Sequence, residues 1–163
     1  MGRNEAGAAF RQAVGSAEPL RWRPGLSAVK RGEGHGQIRA WAQDRLYGSV
    51  DMDGDCKPAY PEDNRWDYAI GYDSEEKAGT QVFFVEVHSA VSSQVSVMAR
   101  KLDWLEGFLR RPRSAALARL RRECHWVASG RVDIPRHLPQ YRNLVRLRGA
   151  RRLNGPVREL ILR

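Results

Sequence analysis

The stretch Gln81-Val82-Phe83-Phe84-Val85-Glu86-Val87-His88 decides the fold class. β-Branched and aromatic residues dominate it, so it reads as a strand. Alternation puts Phe84, Glu86 and His88 on one face and Phe83, Val85 and Val87 on the other. A glutamate inside so apolar a strand needs a reason, because a buried unpaired carboxylate is expensive.

The residues that follow read as a long helix. Val91, Val95, Met98, Leu102, Leu105 and Leu109 recur at steps of four and three, one apolar stripe that Trp104 and Phe108 widen. Ser92 or Ser93 is expected to cap its start, and Pro112 to stop it. Upstream, residues 66–72 are an aromatic-rich strand joined to the first by a polar hairpin at residues 73–79. Residues 46–52 read as a further strand and 53–65 as a loop holding Gly54, Pro58, Pro61 and Asn64. Residues 38–46 read as a short helix or the lead into a strand. Downstream come a short helix at 115–122 and a strand at 125–134, with a break at Gly130 and an end at Pro135. Helical spacing runs from Leu138 to Leu147, and Val157, Leu160 and Ile161 form a short apolar end. Residues 1–36 are a partly flexible segment, helical over 5–14 and Gly-rich at its end. Residues 37–163 form a single domain with a basic helical part last. The fold class is α+β (mixed α/β), a central mixed sheet of about four strands flanked by helices.

Composition agrees. The chain has 163 residues, 42% hydrophobic and 29% charged, with five Trp, five Tyr and four Phe, which suits one domain with a real core and excludes global disorder. The longest apolar run, Val82 to Val85, is far too short to cross a bilayer, so no membrane partner is expected. No signal-peptide apolar region opens the chain. Two cysteines, Cys56 and Cys124, are too few for a disulfide scaffold, so the expected location is cytoplasmic.

The net charge is +9, and it is unevenly distributed. Residues 110–163 carry 15 basic and 3 acidic side chains, whereas residues 44–76 carry 3 basic and 10 acidic. Basic surface beside clustered carboxylates suits phosphate and a cation together. It equally suits mutual neutralisation across the fold. Of the basic residues 24 are Arg, suited to bidentate phosphate contacts.

Asp67 alternates against Trp66 and Tyr68, and a hairpin would bring it within a few ångströms of Glu86. Two carboxylates that close repel unless a cation or a shared proton lies between them. Mg²⁺, a hard ion that takes oxygen ligands and keeps waters, is the natural solution, with Mn²⁺ as its substitute.

An acid on one strand, a hairpin, Glu86-Val87-His88, a long amphipathic helix and one more strand together resemble the PD-(D/E)XK nuclease core, over roughly residues 40–134. The resemblance implies a restriction-endonuclease-like core in which Asp67 and Glu86 bind Mg²⁺ and the Val87 carbonyl adds a ligand. His88 stands where the family has a lysine that positions the attacking water. Lys101, 13 residues further on, is a replacement ammonium within the helix. Gln94 loosely matches a glutamine that some members carry there. The catalytic candidates are therefore Asp67, Glu86, His88 and Lys101, and the metal candidates are Asp67, Glu86 and Asp53.

Weaker signals have plainer readings. Asp51-Met52-Asp53-Gly54-Asp55 departs from a calcium loop, with glycine at the wrong position and two prolines. Asp51 or Asp53 is a further acid near the metal, or part of an acidic turn. Cys56, Cys124, His88, His125 and His137 lack zinc-ligand spacing. Arg65-Trp66-Asp67-Tyr68 reads as aromatics packed around an acid more than as a recognition patch. Residues 144–152 mix apolar and basic side chains. Arg142, Arg146, Arg148, Arg151 and Arg152 are the expected nucleic-acid contacts, although an acidic membrane surface or a solvated helix face fits this run as well. The leading expectation is Mg²⁺-dependent cleavage of nucleic acid, DNA first, by a monomer or homodimer. The alternatives are an inactive binding or regulatory subunit on the same fold, and a small toxin- or immunity-type interaction protein.

Overall fold

Strand and helix periodicities sort the apolar side chains onto two faces of one sheet. The computed structural model describes residues 2–32, 35–75, 81–146 and 153–163, without the side chains of Arg3 and Arg146. In chain order the elements are α1 (Arg3–Ser16), β1 (Ile38–Ala40), β2 (Leu46–Asp51), α2 (Met52–Cys56), β3 (Tyr68–Tyr72), β4 (Val82–Val91), α3 (Val95–Leu109), α4 (Ala115–Arg119), β5 (Arg122–Asp133), α5 (Pro139–Arg146), β6 (Leu153–Val157) and β7 (Leu160–Leu162). Five strands form a mixed sheet in the order β2-β3-β4-β5-β6. The first three are antiparallel, and β4, β5 and β6 are parallel. β1 and β7 pair as a small separate parallel sheet.

The alternation in β4 separates two cores. Phe84 packs with Cys124 and Trp126 under Phe10 and Val14 of α1 and Met98, Leu102 and Leu105 of α3. Phe83, Val85 and Val87 pack with Tyr68, Ile70, Tyr72 and Val127 on the other face. That face is covered by Ile38, Leu160 and Leu162 of the small sheet. Helices thus lie on one side of the five strands and a two-stranded sheet on the other. The first helix belongs to the main core: Phe10 and Val14 are fully buried. It sits close because β3 offers Gly71, where a Cβ would come within 2.6 Å of the Phe10 ring.

Several elements depart from expectation. The sheet has five strands because residues 153–157 pair with β5. Residues 160–162 pair with β1, so the apolar end also becomes a strand. Residues 52–56 are helical because the Asp51 carboxylate accepts a hydrogen bond from Gly54 N at 2.9 Å, capping a turn where a loop was expected. β4 stays paired with β5 as far as Val91. The chain then crosses a 3-10 turn, Ser92–Gln94, and α3 starts at Val95 with Gln94 at its cap position and no side-chain cap bond. Ser92 and Ser93 are exposed and do not cap it. The register of β5 against β4 slips between Ala128 and Val132, around Gly130. β3 and β4 are antiparallel as a hairpin requires, although residues 76–80 of the expected connection lie outside the described residues.

Gly71→Ala is expected to push the Phe10 ring away and lower stability by about 1–3 kcal/mol. Urea midpoints of the two proteins measure this, and an unchanged midpoint would mean that α1 does not dock on β3 as described.

Candidate active site

Glu86 lies in the middle of β4, between β3 and β5, and is fully buried. The β3–β4 ladder runs only as far as the pair Tyr68 and Val85. Beyond it, two side chains replace the ladder. Asp67 N donates to Glu86 Oε2 at 3.0 Å, and Val87 N donates to Asp67 Oδ2 at 3.0 Å. Each acid therefore satisfies the backbone beside the other. The carbonyl of Asp67 accepts from Met52 N at 2.8 Å, which ties this point to the start of α2.

The cation arrives from α3. Lys101 Nζ lies 2.5 Å from Glu86 Oε1 and donates to the Arg65 carbonyl at 2.7 Å. The Lys101 side chain is 14% exposed and that of Glu86 1%. A pair this buried must offset a large desolvation cost, and removing one partner leaves an uncompensated charge. Burial pushes the Glu86 carboxyl well above its usual range, and nearby Asp67 pushes it further, against the pull of Lys101. Burial also raises Asp67, opposed by Lys101, by the Val87 N–H and by His35.

His88 shares the Glu86 face, as alternation requires. Its Nε2 lies 2.8 Å from Gln94 Oε1, and its Nδ1 is 3.9 Å from Glu86 Oε1. The indole of Trp126 donates to the His88 carbonyl at 3.1 Å. Four expected residues thus converge: Asp67, Glu86, His88 and Lys101, with Gln94 holding the histidine.

Asp53 is engaged elsewhere. Its Oδ1 accepts from Arg65 Nε at 2.9 Å, and its Oδ2 lies 3.9 Å from Lys30 Nζ. No group of three His, Cys, Asp or Glu side chains arranged to hold a metal occurs among the described residues. The acids that converge are two, and the donor set is two hard carboxylates, each with one oxygen bound to a backbone N–H. Carboxylate oxygens are the ligand type that Mg²⁺ or Mn²⁺ takes, one or two of them with retained waters, while both oxygens of Glu86 are already engaged, Oε2 by Asp67 N and Oε1 by Lys101.

Other expected residues fall apart from this centre. Arg142 is exposed on α5. The Arg146 side chain and Arg148, Arg151 and Arg152 lie outside the described residues. Cys56 and Cys124 are buried and form no disulfide, and burial pushes both thiols up to about 12, which leaves them inert as nucleophiles. Trp66 and Tyr68 are buried, so Arg65-Trp66-Asp67-Tyr68 is packing around an acid.

Sequence reading missed Lys30 and His35. The Tyr68 hydroxyl accepts from Lys30 N at 3.2 Å and lies 2.6 Å from His35 Nδ1, which sets that imidazole beside the residue that follows Asp67. The glycine run around His35 gave no sign of this, because the contacts span 38 and 33 residues.

The raised carboxyl predicts a pH trend with a definite sign. A buried acid whose folded-state pKa exceeds its unfolded value stabilises the fold in its protonated form. Its contribution is complete below the ordinary glutamate value of 4.5 and is lost as pH rises through the folded-state value. Wild type should therefore gain stability relative to Glu86→Gln as pH falls from 8 toward 4.5, read from urea midpoints. A difference independent of pH would contradict the burial. Lys101→Met should lose about 3–5 kcal/mol at pH 8 and less at pH 5, where Glu86 can protonate.

Comparison with protein-family models, with curated proteins and with solved structures gives no match, so the chemistry of this centre rests on its geometry.

Proposed function

We propose that the protein is a metal-dependent phosphodiesterase of nucleic acid, DNA first, on a PD-(D/E)XK-like plan. The observation that carries this reading is the Lys101 ammonium 2.5 Å from Glu86, which is itself bonded to the backbone of Asp67. Two acids and a fixed ammonium form the charge set that such a centre requires, and the lysine comes from α3 in place of the strand position that His88 occupies. The order of α1, the antiparallel strands β2, β3 and β4, then α3 and the parallel strand β5 supports it, with β1 and the short helices α2 and α4 set between them.

Asp67 and Glu86 would hold Mg²⁺ or Mn²⁺, which when bound polarises a phosphate oxygen and lowers the pKa of a water ligand. Lys101 supplies positive charge where a phosphorane would build negative charge. His88, steadied by Gln94, presents an imidazole that orients a water or accepts its proton. Burial of Glu86, with Asp67 partly buried beside it, keeps the site in a low dielectric, where these charges act strongly.

A second reading has its own observation. Lys101 already neutralises Glu86, and His88 is already bonded to Gln94. A centre satisfied in this way suits a binding or regulatory module that holds no ion.

Titration with MgCl₂ or MnCl₂ during thermal melting separates the two. An ion-binding centre gains about 2.7 kcal/mol when the ion is at 100 times its dissociation constant, and Asp67→Asn removes the gain. A melting temperature unmoved by either ion supports the module. In a cleavage assay with Mg²⁺ or Mn²⁺ on single-stranded and duplex DNA and RNA, Asp67→Asn should abolish cutting, and Lys101→Ala should slow it about 100- to 1,000-fold. Absence of cleavage on every substrate would overturn the enzymatic reading.

A further inference from the structure

The small sheet of β1 and β7 buries one face and presents the other to solvent. Ile38, Leu160 and Leu162 point into the core, so alternation turns Arg39 outward, and Gln37 and Trp41, at the two ends of the strand, are exposed as well. Glu159, Ile161 and Arg163 line the other. Trp41 is 71% exposed, the most exposed large apolar side chain among the described residues. The Arg163 guanidinium lies 5.2 Å from its ring centroid, and Arg39 is within 3.3 Å of Glu159.

Gln37 opens onto a cleft of about 460 Å³ lined also by Ser129, Gly130, Arg131, Arg158 and Glu159. Arg131 is paired with Asp133, but both side chains are largely exposed, and such pairs exchange readily for a phosphate. Arg158 has no ion-pair partner among the described residues. A Cβ at Gly130 would meet nothing within 4 Å, so the cleft floor is open there.

We infer that this face is a platform for an unpaired nucleic-acid strand. A base stacks on Trp41, and the backbone follows Arg39 and Gln37 into the cleft, where Arg131 and Arg158 take its phosphates. From Ile38 through the strand to Trp41 the chain runs about 10 Å, the rise of about three stacked nucleotides. An isolated aromatic set among guanidinium groups suits a base and its phosphates. Only an unpaired base can lie flat on the indole, so a single strand is favoured over a duplex. The inference rests on the proposed nucleic-acid function. The link to the carboxylates is the 3-10 turn His35–Gln37, whose first residue touches Tyr68 beside Asp67 and whose last lines the cleft.

The test is fluorescence anisotropy of a labelled 12-nucleotide DNA of mixed sequence, single-stranded and as a duplex, with EDTA present. The expected result is binding at least tenfold tighter to the single strand. Trp41→Ala should weaken it about 5- to 100-fold, Trp41→Phe should retain it, and Arg158→Ala should lower the salt slope by about 1. Unchanged melting of Trp41→Ala would show that the loss is not unfolding. Binding of the single strand that is indifferent to Trp41→Ala and Arg158→Ala would overturn this surface while leaving the carboxylate centre in place. Equal affinity for the duplex would overturn the stacking role. Self-association that buries Trp41 and vanishes in Trp41→Ala, with oligonucleotide binding unaffected, would assign the face to a second copy of the chain. Failure of both oligonucleotides to bind would overturn both this inference and the nucleic-acid function.

Discussion

A carboxylate in the middle of a five-stranded sheet is the constraint on which the site depends. Glu86 is flanked by Val85 and Val87 and faces the apolar side of α3, where an unpaired charge would be very costly. Its compensation comes from two directions. The backbone N–H of Asp67 reaches one oxygen, which requires the β3–β4 ladder to stop one residue early. The ammonium of Lys101 reaches the other, which requires α3 to lie with Lys101 turned toward the sheet and Leu102 and Leu105 beside it. Fold and chemistry meet here, because what makes the acid tolerable also places a cation, a second acid and an imidazole at one point.

The same logic reorders the charge argument. The acidic stretch at residues 44–76 is not a bare anionic surface. Asp55 is bound by Arg23 at 2.8 Å, Asp53 by Arg65, and Lys30 stands near both Asp51 and Asp53. Arg23 and Lys30 from the first 31 positions, with Arg65 inside the segment, therefore offset three of its acids, Asp51, Asp53 and Asp55. The net charge of +9 reflects this cancellation.

Legibility followed the range of the forces involved. The β4 alternation was readable because it is local: the face holding Phe84, Glu86 and His88 and the opposite face both came straight from the two-residue period. The α3 stripe and the approach of Asp67 to Glu86 were readable for the same reason, since a hairpin brings neighbours in sequence together. The reach of Lys101 was only half readable, because helical spacing fixes its angle relative to Leu102 but not how the helix is set on the sheet. His35 and Lys30 were not readable, because tertiary packing alone brings them to Tyr68. Ser92 and Ser93 looked like caps, but the pairing of β4 with β5 carried the strand to Val91 and displaced the helix start.

The proposed function turns on whether the Asp67–Glu86–Lys101 cluster takes up a cation or stays a closed salt bridge. A crystal soaked in MnCl₂, with anomalous differences measured at a wavelength where manganese scatters strongly, tests this directly. The account predicts one peak at about 2.1 Å from an oxygen of Asp67 and one of Glu86. No peak between these carboxylates, with Lys101 still seated on Glu86, would contradict it.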